Sequence, residues 1–518
     1  MRKGSFFLSL LATVSLYLCE TLAEIGPVGD LIIANADVSP DGYTRMAALA
    51  GGTIVGELIV GQKGDDFAIN VINNLDDSSI VQSTSIHWHG LFQRGTSWAD
   101  GTDFVTGCPI SHNNSFLYKF NAGEQAGTFW YHSHLADQYC EGLRGALIIY
   151  DPFDPHAGLY DIDDESTIIT LSDWNHALTK TLREPTSDAT LINGLGRWSG
   201  DPTTELAVIP VKQGTRYRFR LINMACGTYF TFSIEHHLMN IIEVDGTSHQ
   251  PYLVDELQIF PGQRYSFVLD ANQDIQSYWI HANPNIGEAG YNNGINSAIL
   301  RYSGADDAEP EPSVSPSVLP LNETDLVPLE NPGAPGIPER GGVDYALTLD
   351  MLYLDDVDRF TINGVSFHPP PIPVLLQILS GARAANELLP EGSVYTLPPN
   401  STIELSIPGT SVGHGHAFHL HGHTFDVVRS AGSSTYNYEN PVRRDVVHIG
   451  DIGANVTIRF KTDNAGPWLF HCHTNWHLNK GLAVVFVEDS KDWATTSRPP
   501  PEWEKLCPIY DALPASEL

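Results

Sequence analysis

Four short segments of this 518-residue chain each carry two histidines separated by one residue: His87-Trp88-His89, His132-Ser133-His134, His419-Leu420-His421 and His471-Cys472-His473. In a β-strand, residues i and i+2 point to the same face, so each pair aims two imidazoles into one space. His416 and His477 stand close outside the last two pairs, so ten of the 21 histidines fall in four places. A lone histidine is ordinarily a surface or satisfied core residue, but four such pairs point to metal. Imidazole suits copper, zinc, iron and nickel, and a neighbouring thiolate favours copper or zinc. His423 and His414 extend the alternation around the third pair and are read, with the other remaining histidines, as ordinary side chains.

The segments sit in a chain built of strands. Short runs rich in Val, Ile, Phe and Tyr alternate with Gly, Pro, Asn and Asp, and long helical periodicity is scarce. Trp130-Tyr131-His132-Ser133-His134, Trp279-Ile280-His281-Ala282-Asn283 and Leu469-Phe470-His471-Cys472-His473 are each followed by an apolar strand. The intervals, 149 residues from His132 to His281 and 190 from His281 to His471, are domain-sized. The expectation is an all-β protein of three related sandwich domains over residues 24–153, 154–320 and 321–518, the middle one stripped of most histidines. Asp151-Pro152-Phe153-Asp154-Pro155 punctuates the first boundary, and eight prolines between Pro310 and Pro338 mark a linker or a long surface crossing before the third.

Residues 1–23 read as a secretory signal: Arg2 and Lys3, an apolar run from Phe6 to Leu18, and a small-residue cleavage site at Thr21-Leu22-Ala23. That run is too short for a membrane span. A secreted protein is expected, with sequons at Asn113, Asn322, Asn400 and Asn455 as candidate glycosylation sites. The formal charge of −34 becomes −35 once Arg2, Lys3 and Glu20 are removed, and it argues against a nucleic-acid partner. Of six cysteines Cys19 leaves with the signal, and an odd five remain. In an oxidising compartment one thiol then has separate work, and Cys472, between two histidines, is the candidate.

If His471-Cys472-His473 is a strand, the cysteine faces opposite to both histidines. One side offers a thiolate, with His416 and His477 as partners; the other offers two imidazoles to a second metal centre. A His2Cys set with a weak axial position is a blue-copper electron-transfer site. Methionine usually fills that axial place, but none follows Met351, and Leu482 stands ten residues after Cys472. A non-coordinating axial residue raises the reduction potential.

The segments HWHGLFQRGTSWADG, GTFWYHSHLADQYCEGLRG, HAFHLHGHTFDVVRSAG and HCHTNWHLNKGLAVVF closely resemble those of multicopper oxidases, fungal laccases in particular. The resemblance implies three cupredoxin-like Greek-key domains and four copper ions. It implies a type 1 copper on His416, Cys472 and His477 and a type 2 copper on His87 and His419. The paired type 3 coppers would take His89, His132, His134, His421, His471 and His473. It implies disulfides Cys108–Cys507 and Cys140–Cys226, and an acidic residue, Asp100, near the type 2 ion where it can help deliver protons. The implied activity takes single electrons from small phenols and aromatic amines, through Cys472 to His471 and His473, and reduces dioxygen to water. No membrane partner is expected, and the chain is expected to act as a monomer. A ferroxidase or ascorbate oxidase would share every ligand, and a non-catalytic blue copper protein would leave eight histidines without use.

Three departures from the family pattern stand out. Ala417 occupies a usual proline position, Thr474-Asn475 replaces the usual Ile-Asp, and Gly227 stands where many laccases have an aspartate that holds the phenol.

Overall fold

The computed structural model describes residues 24–182, 186–311, 316–382, 384–410, 412, 415–489 and 498–514. The expected signal at 1–23 and His414 lie outside them. Strand patterning follows exposure. Asp66–Asn74 alternates buried Phe67, Ile69 and Val71 with outward residues, as a sheet with one wet face requires. Gly127–Ser133 and Gly466–Cys472, which carry His132 and His471 with His134 and His473 just past their ends, are buried at every position. Such strands are covered on both faces, so their histidines have no access to bulk water.

The strands form three pairs of sheets. The first pair uses strands from Glu24–Ile25 to Arg144–Tyr150, the second from Ile168–Trp174 to Ser277–Pro284 and Ser297–Tyr302, and the third from Tyr345–Thr348 to Ala483–Glu488, with the small hairpin Met351–Leu354 and Arg359–Ile362 beside it. Strand orders are non-sequential and mix parallel with antiparallel neighbours; Leu58–Gln62, for example, pairs parallel with Arg144–Tyr150. The chain is all-β with three cupredoxin-like domains, and the helices among the described residues are single short turns. None is long and apolar enough to cross a membrane.

From residue 316 on, the proline-rich stretch is a surface crossing. Its later part lies along the middle domain, where the Gln250 N–H donates to the Val327 carbonyl at 2.8 Å and the Leu329 N–H to the Ser248 carbonyl at 2.9 Å. Two disulfides tie distant segments to the first domain: Cys108–Cys507, with Trp503 and Leu506 packed into that domain's core, and Cys140–Cys226, with Cα atoms 5.3 Å apart. Cys472 is the free cysteine among the described residues, and it is buried.

Candidate metal centre

Strand pairing brings the four segments together. Ile86–His89 runs antiparallel to Gly127–Ser133 with His87 opposite His132, and Ala417–Leu420 runs antiparallel to Gly466–Cys472 with His419 opposite His471. Phe418 is opposite Cys472, so the thiol and Phe418 share one face and the two histidines share the other. The first and third domains thereby enclose one cavity with eight histidine rings.

Four groups of donor atoms form there, each within 4.8 Å of one another: His89, His132 and His473; His134, His421 and His471; His87, His89 and His419; and His87, Asp100 and His421. Six of the eight rings are oriented by an outer nitrogen, while the outer Nδ1 of His473 has no hydrogen-bond partner. The His87 Nδ1–H donates to the Asp100 carbonyl at 2.8 Å, that of His419 to the Asp445 carbonyl at 2.9 Å, that of His132 to the Ser133 carbonyl at 2.9 Å, and that of His471 to the Cys472 carbonyl at 3.0 Å. His421 Nδ1 lies 2.9 Å from the Asp100 carboxylate. His89 is turned the other way: its Nε2 faces the Asp445 carboxylate at 3.3 Å and its Nδ1 faces His473 Nε2 at 3.2 Å. The inward Nε2 atoms of His87, His132, His134 and His419 are buried with no protein partner.

Burial, together with repulsion between neighbouring imidazolium charges, pushes these rings down: His89, His132, His419, His421 and His471 well below the usual histidine range, and His473 to about 3. Neutral imidazole is the ligating form. Asp100, fully buried, loses ionisation to burial but regains more from His87, Thr102 and His134, and its carboxyl is held below the usual range. Its Oδ2 also accepts from the Thr102 hydroxyl at 2.5 Å, while Oδ1 lies 3.3 Å from His87 Nδ1.

Behind the strand lies the second site. His416 Nδ1 and His477 Nδ1 each approach the Cys472 sulfur to 3.4 Å, and the three donors form one group. His477 sits on the short helix Asn475–Asn479, immediately after the strand. Burial pushes the Cys472 thiol up to about 12 and His416 down to about 4, so ionising this sulfur requires a cation beside it. Leu482, wholly buried, is threaded between the two: its N–H donates to the His477 carbonyl at 3.0 Å and its carbonyl accepts from the Cys472 N–H at 3.1 Å.

Three models of the multicopper oxidase family match residues 32–154, 165–305 and 367–492. The chain belongs to the multicopper oxidase family. It is 58% identical over 502 residues to a laccase of Phlebia radiata, covering 96% of each chain, and 56% identical over 519 residues to a laccase of Pycnoporus cinnabarinus, covering 99% of this chain and 100% of the other. Among solved structures it resembles the Botrytis aclada laccase, with a TM-score of 0.83, 31% identity and coverage of 96% of this chain and 94% of that one. It also resembles Fet3p, a multicopper oxidase that functions in iron import, with a TM-score of 0.82, 26% identity and coverage of 94% and 96%. This multicopper oxidase is an enzyme with laccase activity, acting on phenolic substrates with dioxygen through four copper ions. The donor set fits that cofactor: inward nitrogens without protein partners, neutral rings, and a thiol that needs a cation.

Sequence reasoning missed the outer contacts. Asp445 faces His89, and Arg264 of the middle domain grips its carboxylate at 2.6 and 2.8 Å. The signal available was an Arg-Arg-Asp triplet set in an apolar run at 443–445. His423 faces Glu488 at 3.1 Å instead of the cavity, in keeping with its reading as an ordinary side chain. Beside His477 opens a pocket walled by Phe360, Trp476, Ile286 and Gly227. Asp173 reaches this pocket, but its carboxylate accepts the N–H groups of Cys226, Gly227 and Thr228 at 2.8, 3.0 and 3.2 Å. Of the sequons, Asn113, Asn322 and Asn400 are exposed and Asn455 is half-buried.

Proposed function

We propose that His416, Cys472 and His477 hold the type 1 copper and His87 and His419 the type 2 copper. His89, His132 and His473 would hold one type 3 ion, and His134, His421 and His471 the other. The observation that carries this reading is the division at His471-Cys472-His473: the Cys472 sulfur groups with His416 and His477, while His471 and His473 each join a different cavity group. Copper at these positions supplies one-electron oxidation of an aromatic reductant at the type 1 site and four-electron reduction of dioxygen to two waters at the other three.

The protein's own part is positional. The pocket receives the ring of a phenol or aromatic amine against Phe360 and Trp476 and brings it beside His477. His471-Cys472-His473 joins the thiolate to two cavity imidazoles by covalent bonds alone. Asp100, whose Oδ1 lies 3.3 Å from His87 Nδ1, can carry a proton at the edge of the cavity while Oδ2 orients His421. Asp445 orients His89 in the same manner.

Around this core we assign domains at 24–153, 154–320 and 321–518, a cleaved signal at 1–23 with secretion, N-glycans at the four sequons, and a monomer. Oxygen uptake with a methoxyphenol, with ferrous ion and with ascorbate, alongside copper analysis, tests the reading. Four coppers per chain and preference for the phenol support it; faster turnover of ferrous ion would favour a ferroxidase. Mass spectrometry of secreted protein tests the cleavage site and glycans.

A further inference from the structure

The helix that carries His477 is only five residues long, and its N-cap residue, Thr474, makes no side-chain capping bond. A helix this short does not hold its own shape. Within its own domain the Leu482 N–H holds the His477 carbonyl and Arg359 holds the Asn479 carbonyl, each at 3.0 Å, and further contacts come from the other two domains. The Asn475 N–H donates to the Cys226 carbonyl of the middle domain at 2.9 Å. The side-chain amides of Asn475, at 2.7 Å, and of Asn479 both donate to Oδ1 of Asp137, in the first domain. Asn475 also reaches the Ala136 carbonyl at 3.2 Å. Ala136 has φ of 51°, a conformation that costs an alanine energy and that the surrounding contacts must hold in place.

We propose that Asp137 is a positioning residue for the type 1 site, its carboxylate clamping both ends of the short helix so that His477 is held at Cys472. This rests on the reading of His477 as a type 1 ligand. It also gives the Asn475 departure a physical reason. Family members carry the acid on the helix; here the acid is on the first-domain loop and the helix supplies two amides. An aspartate at 475 would set two carboxylates against each other. Asp137 lies three residues after His134, and Tyr139 in the same loop donates to the His473 carbonyl at 3.2 Å. One segment of the first domain therefore touches both metal sites.

The test uses copper-loaded secreted enzyme carrying Asp137→Ala, Asp137→Asn, the exchange Asp137→Asn with Asn475→Asp, and His477→Ala. Blue-band spectra, type 1 EPR, redox titration, and kcat and KM for a methoxyphenol are measured. Asp137→Ala should move the type 1 spectrum and potential and lower kcat by about tenfold, the scale of a lost charge-assisted hydrogen bond, with the type 2 signal kept. The exchange should return kcat to within about threefold of wild type, because a carboxylate again meets an amide. If Asp137→Ala does not accumulate, Asp137→Asn against the exchange decides in the same way. An unmoved type 1 spectrum and potential, or an exchange no better than the single variant, overturns the proposal. His477→Ala separates the two failures: a surviving blue band there overturns the ligand assignment itself.

Discussion

The eight-histidine cavity and the Cys472 site lie back to back on one strand, yet they are built on different terms. In the cavity nearly every ring is fixed twice, inward by its place in a donor group and outward by a carbonyl or carboxylate. The walls come from two domains, and the third presses in: a Cβ on Gly262 would meet His473 and His89 at 3.0 Å. The Cys472 site has one side open to a pocket, and all three departures from the family pattern, Ala417, Thr474-Asn475 and Gly227, gather around it. The difference follows from the reactants. Dioxygen is always the same molecule, so the cavity has one geometry to satisfy. The organic reductant varies, and the surface that receives it can vary with it.

The hardest blow to this division is Cys472→Ser. The variant should lose the blue colour and all turnover, since serine provides no thiolate, while the cavity keeps its coppers because its rings are anchored independently of the sulfur. Copper analysis with visible and EPR spectra checks this. Joint loss of all four ions would mean that the two sites are one structural unit.

Asp100→Asn attacks the other side. The amide keeps the shape but cannot carry a proton at this buried position beside His87. Reoxidation by dioxygen should slow on the order of a hundredfold, with reduction of the type 1 site unchanged. Stopped-flow traces of the two half-reactions measure both. Equal slowing of the two would show that the halves are not separable.

How much of this could be read in advance also divides along the same line. Ligation needs rare side chains at short spacing, so all eleven proposed ligands were legible from four local motifs. The limits of the strands were less so. His423 continues the alternation on paper, but the strand ends at Leu420, Gly422 turns at φ 71° against Trp468, and the ring faces Glu488. Likewise His477 sits on a helix, so its approach to Cys472 owes nothing to strand spacing. Asp445, Arg264, Asp137 and Asp173 reach their places through domain packing across long stretches of sequence, which no local pattern encodes. The middle domain reads as an emptied repeat, yet Arg264 and Gly262 make it part of the cavity wall.

Leu482→Met sharpens the comparison at the type 1 site alone. Leu482 is wholly buried, bonded through its backbone to both Cys472 and His477, and part of the same apolar cluster as Cys472, so a thioether there would stand near the site. A thioether donates to copper(II) where leucine cannot, so the potential should fall, by about 60 mV if the oxidised form gains tenfold. Redox titration of the blue band gives the answer, and the cavity signals should not move. A potential that holds or rises would remove Leu482 from the axial position.

The smallest effect is expected from Gly227→Asp, and its sign is the informative part. Oxidising a phenol releases a proton as the electron leaves, so a carboxylate at the hydroxyl can orient it and take that proton. Among the described residues the acid lining this pocket, Asp173, has its oxygens committed to three backbone N–H groups and is poorly placed to do so. Gly227 does not lie in the left-handed region, so a side chain adds no backbone strain. A Cβ there would stand 3.2 Å from the Trp476 ring and 3.4 Å from the Thr474 methyl, on the pocket wall, so the indole must yield by a few tenths of an ångström. The new charge would also sit near Asp173. Against those costs a charged hydrogen bond contributes roughly 1.5–3 kcal/mol, so kcat/KM for a methoxyphenol should rise about fivefold. A non-phenolic dye, which loses only an electron, should gain nothing. The measurement is kcat/KM against pH for both substrates on copper-replete protein. If the two rise together, the substitution has reshaped the pocket without supplying a base; if neither moves, the phenol hydroxyl binds away from Gly227, and the variable surface of this site lies elsewhere along the wall formed by Phe360 and Trp476.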